Sequence, residues 1–295
     1  MKDMKNDSQL KALISMVDEP NDAIYADIVA EIMAYGKDII PILEESWENT
    51  LEHHSQDRIL QIIHKIQYNS IIEELAEWVK NGSSDLLSAY LLITRFQYPD
   101  IKANLILPQI ERIRNDIWLE MNDQLTALEK VKVINHVIYD VYGFIGNKED
   151  FHAPENAYLN TMLQTKNGNP LSLGMLYLIL IAPLNLPIYG VNFPEHFVLC
   201  YTNEKEDEQL SFLEKNDILF YINAFSKGAV FSKKEATVFM KEHGIASNEL
   251  FFKPCTNLDI IRRLINNLIY SYEKLGSQEK VTELNVLLET INHSE

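Results

Sequence analysis

Apolar residues recur at three- and four-residue spacing over residues 22–79, which predicts helices rather than strands. Ile24, Ile28, Ile32 and Met33 form one stripe, and Gly36 ends it. Ile39-Ile40-Pro41-Ile42-Leu43 opens a second helix. Ile59, Ile62, Ile63 and Ile66 predict a third. Ile71, Ile72, Leu75 and Val79 predict a fourth, terminated by Asn81-Gly82. Short helices with short turns predict an antiparallel, HEAT-like array over residues 1–82. Ser83-Ser84-Asp85 marks a boundary and a helix cap. A second helical block covers 83–150, with a stripe of Leu86, Ala89, Leu92 and Ile93 broken at Tyr98-Pro99-Asp100. Helices over 107–119 and 127–141 follow, then a glycine-punctuated loop, Gly143-Phe144-Ile145-Gly146-Asn147.

The pattern changes after Asp150. Residues 158–164 read as a short helix. Asn169-Pro170-Leu171-Ser172 is a helix start, with asparagine at the cap and proline at the first helical position. The helix it opens, to about Ile181, is apolar nearly all round, which predicts burial. Residues 188–193, 196–201 and 218–222 read as strands. The acidic stretch over 203–209 reads as a solvated hairpin tip. A helix returns over 233–243, and residues 258–275 and 279–291 form a final helical hairpin around Gly276. The expected class is α+β: mostly helical, with a small antiparallel sheet packed on one buried helix and helical arrays on its flanks. The sheet and its helix occupy 151–253, and the terminal hairpin 254–295.

Charge narrows the partners. The chain has 295 residues and a formal net charge of −17, which repels phosphate backbones and anionic lipid heads. Nucleic acid and membrane surfaces are therefore not expected partners. The start, Met1-Lys2-Asp3-Met4, is charged, and the longest apolar run, 175–186, is interrupted by Pro183 and Asn185. It falls short of the ~20 residues that span a bilayer. A cytoplasmic location is expected. The only cysteines, Cys200 and Cys255, exclude a disulfide framework and a cysteine-rich zinc site. His53 and Asp57 share a helix face, but the adjacent His54 points to a different side and no third ligand is in view, and His136 with Asp140 reads as a surface pair. No metal or cofactor is expected.

A buried helix followed by strands bearing a histidine and then an amide is the arrangement of papain-like and transglutaminase-like cores. Four motifs occur in order: Gly143-Phe144-Ile145-Gly146-Asn147; Pro154-Glu155-Asn156-Ala157-Tyr158-Leu159-Asn160; Gly168-Asn169-Pro170-Leu171-Ser172-Leu173; and Leu186-Pro187-Ile188-Tyr189-Gly190-Val191-Asn192-Phe193-Pro194-Glu195-His196-Phe197. They resemble the SirB-type branch of the transglutaminase-like superfamily, and the resemblance covers roughly 85–291. Residues 92–100 look like that family's helical N-terminal region and the last hairpin like its tetratricopeptide-like tail.

The resemblance implies that His196 is the superfamily histidine and that Asn223 stands where the family usually has aspartate. The superfamily cysteine would fall near Pro170 or Ser172, and neither is a thiol. Cys200 is four residues past His196 on one expected strand, hence ~13 Å away. Both cysteines read as packed apolar residues. Glu155, Asn156, Asn169 and Glu195 are expected to line the cleft, although capping is the plainer role for Glu155 and Asn156. A packed histidine is likewise the plainer reading of His196, and a first-turn hydroxyl of Ser172. Two functions follow: a non-catalytic regulatory or protein-interaction module without the catalytic cysteine, or a serine-based hydrolase or acyl-transferase using Ser172, His196 and Asn223.

Overall fold

A computed structural model describes residues 2–150, 153–203, 218–242 and 248–293. The chain divides into two compact units, Met1–Glu74 and Leu75–Glu295. The first contains α1 (Lys2–Ser15), α2 (Asp22–Met33), α3 (Ile40–Asn49) and most of α4 (His53–Lys80). Asn21 caps α2 by accepting from the backbone N–H groups of Ala23 and Ile24. The core of this unit is a cluster of aliphatic side chains, among them Ile28, Ile32, Leu43, Ile59, Ile62 and Ile66.

The third and fourth helices expected from the apolar pattern are one helix of 28 residues. No glycine or proline lies between their two stripes, so nothing interrupts the backbone ladder. Ser70 sits between the stripes, and its Oγ donates to Glu74 one turn on, at 2.6 Å. The helix stops where glycine permits: Gly82 has φ +84°, and the N–H of Ser83 reaches back to the carbonyl of Trp78.

The second unit holds α5 (Leu86–Gln97), α6 (Ala103–Glu120), α7 (Ala127–Asn135), α8 (Leu159–Thr165), α9 (Pro170–Ile181), α10 (Lys233–Glu242), α11 (Asn257–Lys274) and α12 (Gln278–His293). Asp85 caps α5 as its sequence predicts, accepting from Leu87 and Ser88. α7 runs directly into a wide π-type turn over His136–Val141. The expected loop at 143–147 contains a two-residue strand, β1 (Ile145–Gly146), parallel to β2 (Asn167–Gly168).

The main sheet is antiparallel in the order β3 (Ile188–Val191), β4 (Val198–Thr202), β5 (Ile218–Asn223), β6 (Ala229–Phe231). β6 was not anticipated, since three residues carry too little alternation to read. β4 starts two residues later than expected, which leaves His196 in the turn before it. The hairpin tip expected over 203–209 lies, Asn203 apart, outside the described residues, as does the end of the helix expected to reach His243. α9 packs against β3 and β4 and also touches α5, α6 and α11. Every residue of α9 except Leu178 is buried, as an all-round apolar helix requires. The architecture is the α+β class expected from the pattern.

Candidate functional site

The site begins at the first turn of α9. Asn169 has an extended backbone, and its side-chain oxygen accepts from Ser172 N at 2.8 Å. The hydroxyl of Ser172 returns the contact, accepting from Asn169 N at 2.9 Å and donating to Asn169 O at 3.2 Å. This reciprocal cap needs donors and acceptors three residues apart, which the sequence supplies. Ser172 is fully buried, and its single hydroxyl proton goes to a backbone carbonyl.

His196 ends a tight turn closed by His196 N donating to Phe193 O, with Glu195 in the left-handed region at φ +57°. The turn is seated by Phe193, whose ring packs on Tyr221, Phe231 and Phe252. Nε2 of His196 lies 3.2 Å from Oδ1 of Asn223, at the end of β5. The same Asn223 oxygen accepts from Phe225 N and Ser226 N. Those fixed donors identify it as the carbonyl end of the amide, so Nε2 carries the proton and Nδ1 keeps the lone pair. The Phe225 ring meets the imidazole edge-to-face, with centroids 6.2 Å apart. Burial lowers the His196 pKa below its ordinary value. The hydrogen bond to Asn223 opposes that shift, and the nearby charge of Arg263 adds to it. The ring is neutral at neutral pH.

Neither cysteine is poised as a thiolate. Cys200 lies in β4 opposite Tyr189, buried, its thiol pushed up to about 12 by desolvation. Cys255 lies before α11, bonded through its N–H to Gly190 O, and burial likewise pushes its thiol up to about 12.

Two clefts flank His196. One, of about 430 Å³, is largely apolar and is lined by His196, Asn223, Phe231, Ala236 and Met240 among others. The second, of about 530 Å³, lies between the first turn of α9 and α11, and is lined by Asn169, Pro170, Leu171, Phe197, Arg263 and Asn267 among others. Glu195 borders both. Phe197 can form a wall only because two glycines make room. A Cβ on Gly174 would stand 2.5 Å from its ring, and one on Gly190 2.7 Å.

The predicted residues thus separate. His196 and Asn223 meet. Asn169 and Glu195 reach the second cleft. Ser172 lies beneath its rim, bonded to Asn169. Asn156 is buried and locks a loop, donating to Asp150 O at 2.6 Å and accepting from Asn147 at 3.0 Å. Glu155 is exposed on that turn, whose Ala153 and Ala157 face the cleft instead. Sequence reasoning missed Arg263. A readable signal existed: Arg263, Asn267 and Ser271 make a polar stripe at four-residue spacing on an otherwise apolar-faced helix. His136 and Asp140 form an exposed pair at 3.2 Å. Among the described residues no group of three or more His, Cys, Asp or Glu side chains could hold a metal, and no helix is long and apolar enough to cross a membrane.

The profile of the transglutaminase-like superfamily matches residues 104–266, more than half of the chain. The chain belongs to the transglutaminase-like superfamily. It is similar to F-box only protein 21 of Mus musculus, with 30% identity over 155 residues, 52% of this chain and 23% of that protein. A UPF0162 protein of Xylella fastidiosa is 32% identical over 121 residues, 41% of this chain and 43% of that protein. One from Pasteurella multocida is 38% identical over 80 residues, 27% of this chain and 30% of that protein. The chain therefore spans less than half the length of these relatives. No solved structure gives a significant match.

Proposed function

We propose that the transglutaminase-like core of this chain is a non-catalytic module that engages a protein partner through the clefts beside His196. The reading rests on Ser172. At the helix mouth, where the superfamily thiol would stand, its hydroxyl is buried and gives its proton to Asn169 O. A nucleophile needs that proton aimed at a base; His196 keeps a lone pair on Nδ1, but the Ser172 hydroxyl is directed at Asn169 O rather than at that ring. The two thiols, pushed up to about 12, offer no thiolate in its place. The likeness to F-box only protein 21 points to a protein partner. The motif order supports placement in the SirB-type branch, with a tetratricopeptide-like hairpin at 254–295, and the composition supports a cytoplasmic setting.

The second reading, serine-based hydrolysis or acyl transfer, draws on the 3.2 Å His196–Asn223 contact, which orients an imidazole as such enzymes do. A fluorophosphonate probe and an iodoacetamide probe, applied to wild type and Ser172→Ala, separate the two. The non-catalytic reading expects no labelling that depends on Ser172 and only slow thiol labelling. Labelling lost in Ser172→Ala would establish the serine reading. Partner capture supplies the other half: His196→Ala should lose a partner held by wild type while melting at the same temperature. Undiminished capture would contradict a role for the cleft that His196 lines.

A further inference from the structure

The guanidinium of Arg263 is only half used. Its Nη1 donates to Phe193 O at 2.9 Å and to Asn192 Oδ1 at 3.2 Å, holding the turn that carries His196. Among the described residues, no carboxylate pairs with it, and Nε and Nη2 have no protein partner. Arginine has five N–H donors in a planar fork, and the Nε–Nη2 edge matches the two oxygens of a carboxylate. A guanidinium with no carboxylate partner among the described residues is unusual in a chain whose formal net charge is −17.

The surroundings narrow the ligand. Arg263 lines the cleft of about 530 Å³ that the first turn of α9 closes at one end. That volume lies within the range of about 300–1,000 Å³ typical of ligand sites and far exceeds what a bare anion fills. Tyr270 offers exposed apolar surface in the same cleft, beside the buried Leu171, Phe197 and Ala157, and the Arg263 guanidinium carbon is 5.9 Å from the centre of the Phe197 ring. The positive end of α9 favours an anion there. Glu195 on the rim disfavours a dianion. A single negative charge beside apolar surface is the chemistry of a chain terminus: carboxylate on the fork, last side chain against Tyr270.

We infer that this cleft binds the C-terminal carboxylate of a peptide, with Arg263 Nε and Nη2 as the recognising fork. The inference deepens the protein-binding reading and rests on the cleft being a binding site, not on the state of Ser172. Acid-over-amide preference and probe labelling are separate readouts, so either can fail alone.

The test uses the full chain and pooled N-acetyl-Gly-Ala-X tripeptides, X being each apolar residue, with free acid or amide ends. Binding is read by calorimetry and ligand-detected NMR. The acids should bind roughly tenfold to a hundredfold more tightly than the amides, the range of a charge-assisted fork. Arg263→Lys, which keeps the charge but not the fork, and Arg263→Gln should both abolish the preference. The His196 ring resonances report whether the turn survives in each variant, and the acid–amide comparison in wild type needs no variant. N-acetyl-Gly-Asp-Leu amide, carrying an internal carboxylate, and inorganic phosphate should bind no better than the amides. Equal binding of acid and amide, no binding of either, a match by the internal carboxylate or by phosphate, or a preference that survives in the Arg263 variants would each overturn the inference.

Discussion

Two helices meet at the second cleft and treat their polar groups in opposite ways. The first turn of α9 closes its bonds on itself: Asn169 and Ser172 exchange three hydrogen bonds within one turn. α11 across the cleft carries Arg263 with donors to spare and Asn267 exposed. A saturated turn stabilises a fold and has little left for a ligand. An unsaturated edge contributes little to the fold and can reward an occupant. The likeness to an enzyme core draws attention to the first, and the proposed recognition lies with the second.

This contrast can be broken by substitution. Within α11 the apolar face should matter most. Leu264 is fully buried, and Leu264→Ala should cost ~2–5 kcal/mol in urea unfolding. Asn267→Ala, three residues on and facing the cleft, should stay within about 0.5 kcal/mol of wild type. Similar losses for both would mean that the polar stripe supports the fold. Ser172→Ala comes next, at ~1–2 kcal/mol, because it removes a cap and strips the part-buried backbone groups of Asn169 of a partner. A neutral result there would show that the turn is less saturated than its geometry indicates.

The smallest effect is the pH response of His196. Its folded pKa lies below 6.5, so the unfolded chain binds the proton more readily between the two values. Stability from this group is complete above about pH 6.5 and declines as pH falls towards the folded pKa. His196→Gln should flatten that part of the stability–pH curve, and NMR titration of the wild-type ring should place its midpoint below 6.5. A midpoint above 6.5 would indicate a carboxylate near the ring and change the charge balance of both clefts.

Legibility followed the range of the interactions. The caps at Asp85 and Asn169 act across two or three residues, and both could be read in advance, whereas the one at Asn21 was not read. The buried helix was visible because no polar face interrupts it. Boundaries were less certain. Two apolar stripes looked like two helices, yet without a breaker the 28-residue helix runs through both. The two-residue strands β1 and β2 carry no period of their own and exist only by pairing with each other.

The sequence alone determined the α+β class, the start of the buried helix and the order of histidine and amide, because propensity, capping and periodicity act between near neighbours. Tertiary structure decided what those groups face. The His196–Asn223 contact joins residues 27 apart, and the Arg263 contacts to Asn192 and Phe193 join residues 71 and 70 apart. Such pairings depend on how whole elements pack. That packing left one edge of a guanidinium without a partner among the described residues, which no local pattern could indicate.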